Sequence, residues 1–306
     1  MIRVVFFGTP KIALKSLEYL NNSDKISVVG IVTQPDKPVG RGHKVQFPPL
    51  KQYGIEHNIP VFQPKSIRKE LDIQEKLKAL EPDFFVTFAF GQILSKEVLD
   101  IPKYETINLH ASLLPKYRGA NPIQRAIING DKETGICTMI TEVGLDCGDV
   151  CLKLPINIPD DMTCVDLFEI ISECSPELLE KTLTGLVDKT IIPVKQCEDG
   201  LCMAPKMTKE EALIDWEKSA SDIHNLVRGI YCMPSAYFMH NGKIVKVMKT
   251  KVIDCQCEND DCGDILKATK DGVEIKCARG ILLLERVKPE GKGEMAAKDW
   301  YNGLRG

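Results

Sequence analysis

A rhythm in the first half of the chain constrains its fold more than any other feature. Nearly unbroken apolar runs, IRVVFFG (2–8), ISVVGIVTQ (26–34), DFFVTFAFG (83–91) and TINLHAS (106–112), alternate with IALKSLEYLNN, SIRKELDIQEKLKAL and NPIQRAIING, whose apolar residues recur at helical spacing. A strand that is apolar along its whole length has both faces covered, as in a parallel sheet flanked by helices. Strands alternating with helices predict a doubly wound, Rossmann-like α/β domain. Such sheets bind ligands beyond the carboxyl ends of their strands. Attention therefore falls on the loops after Phe7, Gln34, Phe90 and Asn108.

The second half has a different texture. GICTMITEVGLDCGDVCLKLPINI (135–158) reads as two strands around a Gly-rich turn, and TCVDLFEIISECSPELLEKTLTGL (163–186) as an amphipathic helix broken near Pro176. The pattern dissolves over residues 191–206, read as an interdomain linker. A short helix (221–229) and about five short strands follow. Asn241-Gly242 and Asp271-Gly272 have the composition of hairpin turns. That much strand in so short a stretch predicts a small OB-like β-barrel. The expected organisation is a catalytic domain over 1–190, a linker over 191–206 and a C-terminal domain over 207–306.

Charge narrows the partners only a little. The 306 residues carry a formal net charge of -3, so no global field attracts a polyanion, although a local patch would suffice. Residues 207–306 balance, with 16 Lys and Arg against 16 Asp and Glu. The opening MIRVVFFGTP reads as a strand entering a tight loop rather than as a signal peptide. No apolar stretch approaches the roughly 18–20 residues that span a bilayer. The expectation is a cytoplasmic protein. Its twelve cysteines include no C-x-x-C pair and are expected as free thiols. Cys255, Cys257 and Cys262 lack the spacing and fourth ligand of a zinc site, and no metal is expected.

NLHASLLPKYRGANPIQRAI (108–127) carries the chemistry. Residues two apart in an extended chain share a face, so Asn108 and His110 can serve one crevice. A neutral carboxamide donor beside a titratable ring suits a carbonyl oxygen that becomes an oxyanion. The ring needs an orienting partner, and Asp146 in the Gly-rich GLDCGD is the best candidate, with Asp149 as local competitor. Asn-x-His at a strand end is often only a cap, and an aspartate in a Gly turn only a turn residue. Cys147 has no sequence-local base and is a poor nucleophile. These residues by themselves support an α/β enzyme of acyl-type chemistry with no nucleophile of its own.

Asn108, His110, SLLP (112–115), YRG (117–119), PIQRAI (122–127) and GLDCGD (144–149) together resemble the folate-dependent formyltransferase family. FFGTPKIAL, TQPDKPVGRGHKVQFPPLK (33–51), IDWEKSASDIHNLVRGI (214–230) and LLLERVKPEGKGEMAAKDWYNG (282–303) resemble its methionyl-tRNA formyltransferase branch, so the likeness covers essentially the whole chain. Ile12, Phe90 and Cys147 depart from the phenylalanine, tyrosine and threonine common there, and none of the three removes a catalytic group.

The resemblance implies formyl transfer from 10-formyltetrahydrofolate to the α-amine of methionyl initiator tRNA, without a metal. Asn108 and His110 would stabilise the oxyanion. Asp146 would orient His110 and help to remove the ammonium proton. Ser112, Leu113, Leu114 and Pro115 would line the folate slot, with Phe88, Phe90 and Gly91 in a loop walling the pterin. Arg41, Lys44 and Lys206 would meet the tRNA, although charged residues among Gly40 and Gly42 are equally the mark of a solvated surface loop. Two rivals remain: a formyltransferase acting on an amino-sugar nucleotide, which would keep Asn108, His110 and Asp146, and a non-catalytic RNA-binding protein, which would not need them.

Overall fold

The computed structural model describes residues 1–39, 44–231, 234–253 and 261–304. Its strands are β1 (Ile2–Gly8), β2 (Ile26–Val32), β3 (Lys37–Val39), β4 (Lys44–Gln46), β5 (Val61–Phe62), β6 (Phe84–Phe88), β7 (Glu105–His110), β8 (Arg118–Gly119), β9 (Glu133–Ile140), β10 (Val150–Asn157), β11 (Met203–Ala204), β12 (Tyr237–His240), β13 (Lys243–Ile253), β14 (Ile265–Ala268), β15 (Val273–Lys276), β16 (Ile281–Pro289) and β17 (Met295–Ala296). The helices are α1 (Leu14–Asn21), α2 (Pro49–Glu56), α3 (Leu71–Lys78), α4 (Lys96–Leu99), α5 (Pro122–Ile128), α6 (Cys164–Val187), α7 (Ala220–Gly229) and α8 (Ala297–Asn302). Two compact units emerge. One comprises residues 1–119, 135–156 and 168–203, the other 120–134, 157–167 and 204–306.

The first unit is built on a seven-stranded sheet in the order β10-β9-β7-β6-β1-β2-β5. β1 pairs in parallel with β2 and β6, and β6 with β7, whereas β9 runs antiparallel to β7. The sheet is therefore mixed rather than wholly parallel. Val4, Val5, Phe6 and Phe7 of β1 are all fully buried, and since neighbours point to opposite faces both faces are covered. Val5, Phe7 and Phe85 pack with Leu77 and Val98 on one face. Thr138 of β9 shares a 2.7 Å hydroxyl contact with Thr182 of α6. α6 runs unbroken for 24 residues through Pro176, contrary to the expected break. Proline removes one N–H from the ladder, but Leu167, Ile171, Leu179 and Leu183 stay fully buried along the helix, and that packing carries it across.

The second unit is an antiparallel sheet, β12-β13-β16-β15-β14 with β17 on β16, curled into a half-barrel. Register shifts near Lys249, where β13 crosses β16, supply the bend. β12 and β13 form the expected hairpin, with Asn241 and Gly242 both left-handed at φ 48° and 76°. Among the described residues the sheet has six strands, one more than the sequence suggests. α7, α8 and α5 complete this unit's core around Val227, Leu282, Leu284 and Trp300.

Candidate active site

β6 and β7 lie side by side, with Thr87 opposite Asn108. The Thr87 hydroxyl donates to Asn108 Oδ1 at 2.8 Å. That bond turns the carboxamide so that Nδ2 is its outer end, and among the described residues Nδ2 has no partner. Two residues on, His110 is only 5% exposed. Its Nε2 lies 2.9 Å from the Tyr117 carbonyl. A carbonyl can only accept, so Nε2 carries a hydrogen. Nδ1 is left facing Asp146 Oδ2 at 3.6 Å, within ion-pair reach but too far for a hydrogen bond.

Asp146 stands in the turn between β9 and β10 with φ 49°, a left-handed conformation that few non-glycine residues adopt. Its Oδ2 accepts the Gly119 N–H at 2.8 Å. Two residues on, a Cβ on Gly148 would sit 2.0 Å from the Ile140 carbonyl oxygen, so the turn closes this tightly only with glycine. The expected trio divides in two. His110 and Asp146 meet directly, while Asn108 is held by Thr87 from the neighbouring strand.

The expected folate residues are spread over several roles. Phe88 and Phe90 are 2% and 4% exposed, and the Phe90 ring stands edge-on to Phe7 at 5.3 Å inside the core. Their turn presents Ala89 and Gly91 outward, at φ 52° and 81°. The Phe90 carbonyl is engaged by Gln34 Nε2 at 3.0 Å. Ser112 is buried and donates to the Lys116 carbonyl at 2.6 Å. Leu114 lies in a small cluster with Cys137, Met139 and Val150, and its carbonyl accepts from Lys153 Nζ. The Leu114–Pro115 bond is cis. Leu113 and Pro115 are partly exposed and are the members of this stretch able to touch a ligand. Of the expected tRNA residues, Arg41 lies outside the described residues, Lys44 opens β4, and Lys206 is exposed in the second unit.

Three contributors escape a sequence reading. Thr87 is visible as one polar residue in an apolar run, but nothing there ties it to Asn108. Tyr117 acts through its carbonyl, which no side-chain pattern reveals. Gln196 sits in the stretch read as a linker. Its Oε1 accepts from Arg118 Nε at 3.0 Å and Nη2 at 2.7 Å, and its Nε2 donates to the Asp146 and Gly148 carbonyls at 2.9 and 2.7 Å.

Comparison with known proteins narrows the chemistry. Residues 2–183 match the family described as Formyl transferase, and residues 206–305 the family described as Formyl transferase, C-terminal domain. The methionyl-tRNA formyltransferase of Clostridium perfringens is 45% identical over 302 residues, 99% of this chain and 97% of that protein. An N-formyltransferase from Helicobacter canadensis, solved with folinic acid and dTDP-3-aminofucose, superposes with a TM-score of 0.67 at 20% identity, over 93% of this chain and 99% of that one. The methionyl-tRNA formyltransferase from Clostridium thermocellum gives 0.57 at 17% identity, over 84% and 96%. The two structures speak to fold alone, whereas the full-length relative speaks to family.

Proposed function

The chain belongs to the methionyl-tRNA formyltransferase family, and from that premise we propose that it moves the formyl group of 10-formyltetrahydrofolate to the α-amine of methionyl initiator tRNA. The acceptor amine is the nucleophile, so the chain has only to position, polarise and move protons. The folate donor supplies an activated formyl carbon. Asn108 Nδ2, oriented by Thr87, is the donor for the carbonyl oxygen as it takes up charge. His110 Nε2 is committed to Tyr117, so Nδ1 is the ring atom that acts, with Asp146 across the 3.6 Å gap to orient it and receive the amine's proton. Leu113 and Pro115 would line the folate slot, and the Ala89–Gly91 turn would wall the pterin. Arg41, Lys44 and Lys206 would meet the tRNA. An enzyme whose acceptor is charged initiator tRNA would work in the cytoplasm.

The facing of His110 and Asp146 beside a carboxamide with its donor end open is the observation that carries this reading. Labelled 10-formyltetrahydrofolate offered with charged initiator tRNA tests it. Transfer to an amino-sugar nucleotide instead would overturn the acceptor, and no transfer to either would leave an RNA-binding protein. Arg41→Ala should cut kcat/KM for the tRNA by about tenfold, or about 1.4 kcal/mol, with KM for the folate unchanged. An unaltered tRNA kcat/KM would remove Arg41 from the acceptor site.

A further inference from the structure

We propose that Gln196 is a positioning residue for this reaction: its carboxamide locks the Asp146 turn to Arg118 and so sets the gap between Asp146 and His110. The proposal rests on the reading of Asp146 given above. Residues 191–202 carry little regular structure, yet they are tied to the first unit at definite points. Val194 exchanges two backbone hydrogen bonds with Val150, at 2.8 and 2.9 Å. That pairing brings the residue two positions on to the β9–β10 turn. Gln196 then uses both ends of its amide, accepting twice from one guanidinium and donating to two carbonyls of the turn. The same stretch grips residues 117–119 again, where the Cys202 carbonyl and Sγ accept from the Arg118 and Tyr117 amides at 3.0 and 3.2 Å.

These contacts close a circuit around the reacting groups. The Tyr117 carbonyl holds His110 Nε2, and the Gly119 amide holds Asp146 Oδ2. Arg118, between them, is fixed by Gln196, which also fixes the carbonyl of Asp146. A left-handed aspartate keeps its conformation only when its surroundings over-determine it. Without Gln196 the turn keeps the packing of Gly148 and its backbone bonds at the base, from the Ile140 N–H to the Asp149 carbonyl and from the Thr141 N–H to the Thr106 carbonyl. Among the described residues, Asp146 itself is then hydrogen-bonded only at its carboxylate, by Gly119, and that carboxylate can drift from Nδ1. Misplacement by about 1 Å costs on the order of a hundredfold in rate.

Steady-state kinetics on Gln196→Ala, Gln196→Glu, Asp146→Asn and the Gln196→Ala/Asp146→Asn pair test the proposal. Gln196→Ala should lower kcat by roughly 10- to 100-fold and leave KM for both substrates within about twofold. Gln196→Glu keeps acceptors for Arg118 but turns an oxygen toward two carbonyls, so it should lose as much. As a near-isosteric change it also serves should the alanine variant fold poorly. In the Asp146→Asn background Gln196→Ala should add little, because both act through one group. Retention of kcat within about threefold in either single variant would overturn the proposal, as would fully additive losses or a loss confined to KM. A wild-type kcat in Asp146→Asn would instead sink the role of Asp146, and the proposal with it, whatever the Gln196 variants do.

Discussion

Each unit of the molecule holds a histidine between two partners, and the two environments differ in a way that separates catalysis from scaffolding. In the second unit, His224 of α7 sits between the Asp160 carbonyl, 3.0 Å from Nε2, and the Thr250 hydroxyl, 2.8 Å from Nδ1. The carbonyl takes the Nε2 hydrogen and the hydroxyl can donate to Nδ1, so a neutral ring is fully satisfied. In the first unit, His110 gives its Nε2 hydrogen to Tyr117 in the same way, but Nδ1 faces a carboxylate at 3.6 Å. Two acceptors confront each other there unless one of them carries a proton. Burial and two partners do not distinguish a working histidine from a structural one. What distinguishes them is whether the second contact closes without a proton being moved.

His110→Ala is the strongest test of that contrast. It should lower kcat by on the order of 10²–10³, about 2.7–4 kcal/mol of transition-state stabilisation, because the loss falls where charge and proton move. The variant also takes the Nε2 hydrogen from the Tyr117 carbonyl inside a buried site, so the fold should lose about 1–3 kcal/mol as well. The fall in kcat of the folded protein is what sets this histidine apart. Formyl transfer and a thermal melt on the same preparation check both halves. Activity within about threefold of wild type would erase the distinction.

His224→Ala should lower stability and leave kcat alone. The variant strips partners from Thr250 and from the Asp160 carbonyl, on a helix whose Arg228 also ties residues 159 and 162 through their carbonyls. Loss of the pair should cost about 1–3 kcal/mol of stability in that unit, read as a lower denaturant midpoint, with kcat kept. A fall in kcat without a shift in the midpoint would show that the second unit's histidine serves the reaction.

The two histidines were unequally legible in the sequence for a physical reason. Asn108 and His110 interrupt an apolar strand at its carboxyl end, and polar residues there stand out against a covered sheet. Asp146 was legible through its glycines, since the tight turn at Gly148 is written in residue type. His224 offered only a ring on an amphipathic helix. The sheet itself was largely readable from the continuous apolar runs, but the antiparallel β7–β9 pairing was not, because strand direction is set by the connection rather than by the strand. Pro176 misled because one missing N–H is a local signal and the packing that overrides it is not. Gln196 was illegible for a deeper reason. Two of its partners are backbone carbonyls of the turn some fifty positions earlier, and carbonyls leave no mark on a side-chain pattern.

The smallest expected effect is the most specific to the structural histidine. Burial holds the proton affinity of His224 below its ordinary value, and the charge of Arg228 adds to this against the opposing pull of the Asp160 carbonyl and of the Asp160 and Asp161 carboxylates. The unfolded chain, with a histidine pKa near 6.5, then binds the proton more readily than the folded one. Stability therefore rises with pH through this region. The contribution is fully present above about pH 6.5 and is lost as the pH falls from there toward the lower folded value. His224→Gln removes the titration while keeping a polar side chain at the position, and the carboxylates elsewhere titrate in both proteins and cancel in the difference. The stability advantage of wild type over this variant, from denaturant titrations at pH 7.5 and 5.5, should shrink on the acid side. An advantage that is flat, or that grows as the pH falls, would mean that His224 is not held neutral by its burial. The contrast between a closed and an open second contact would then need another basis.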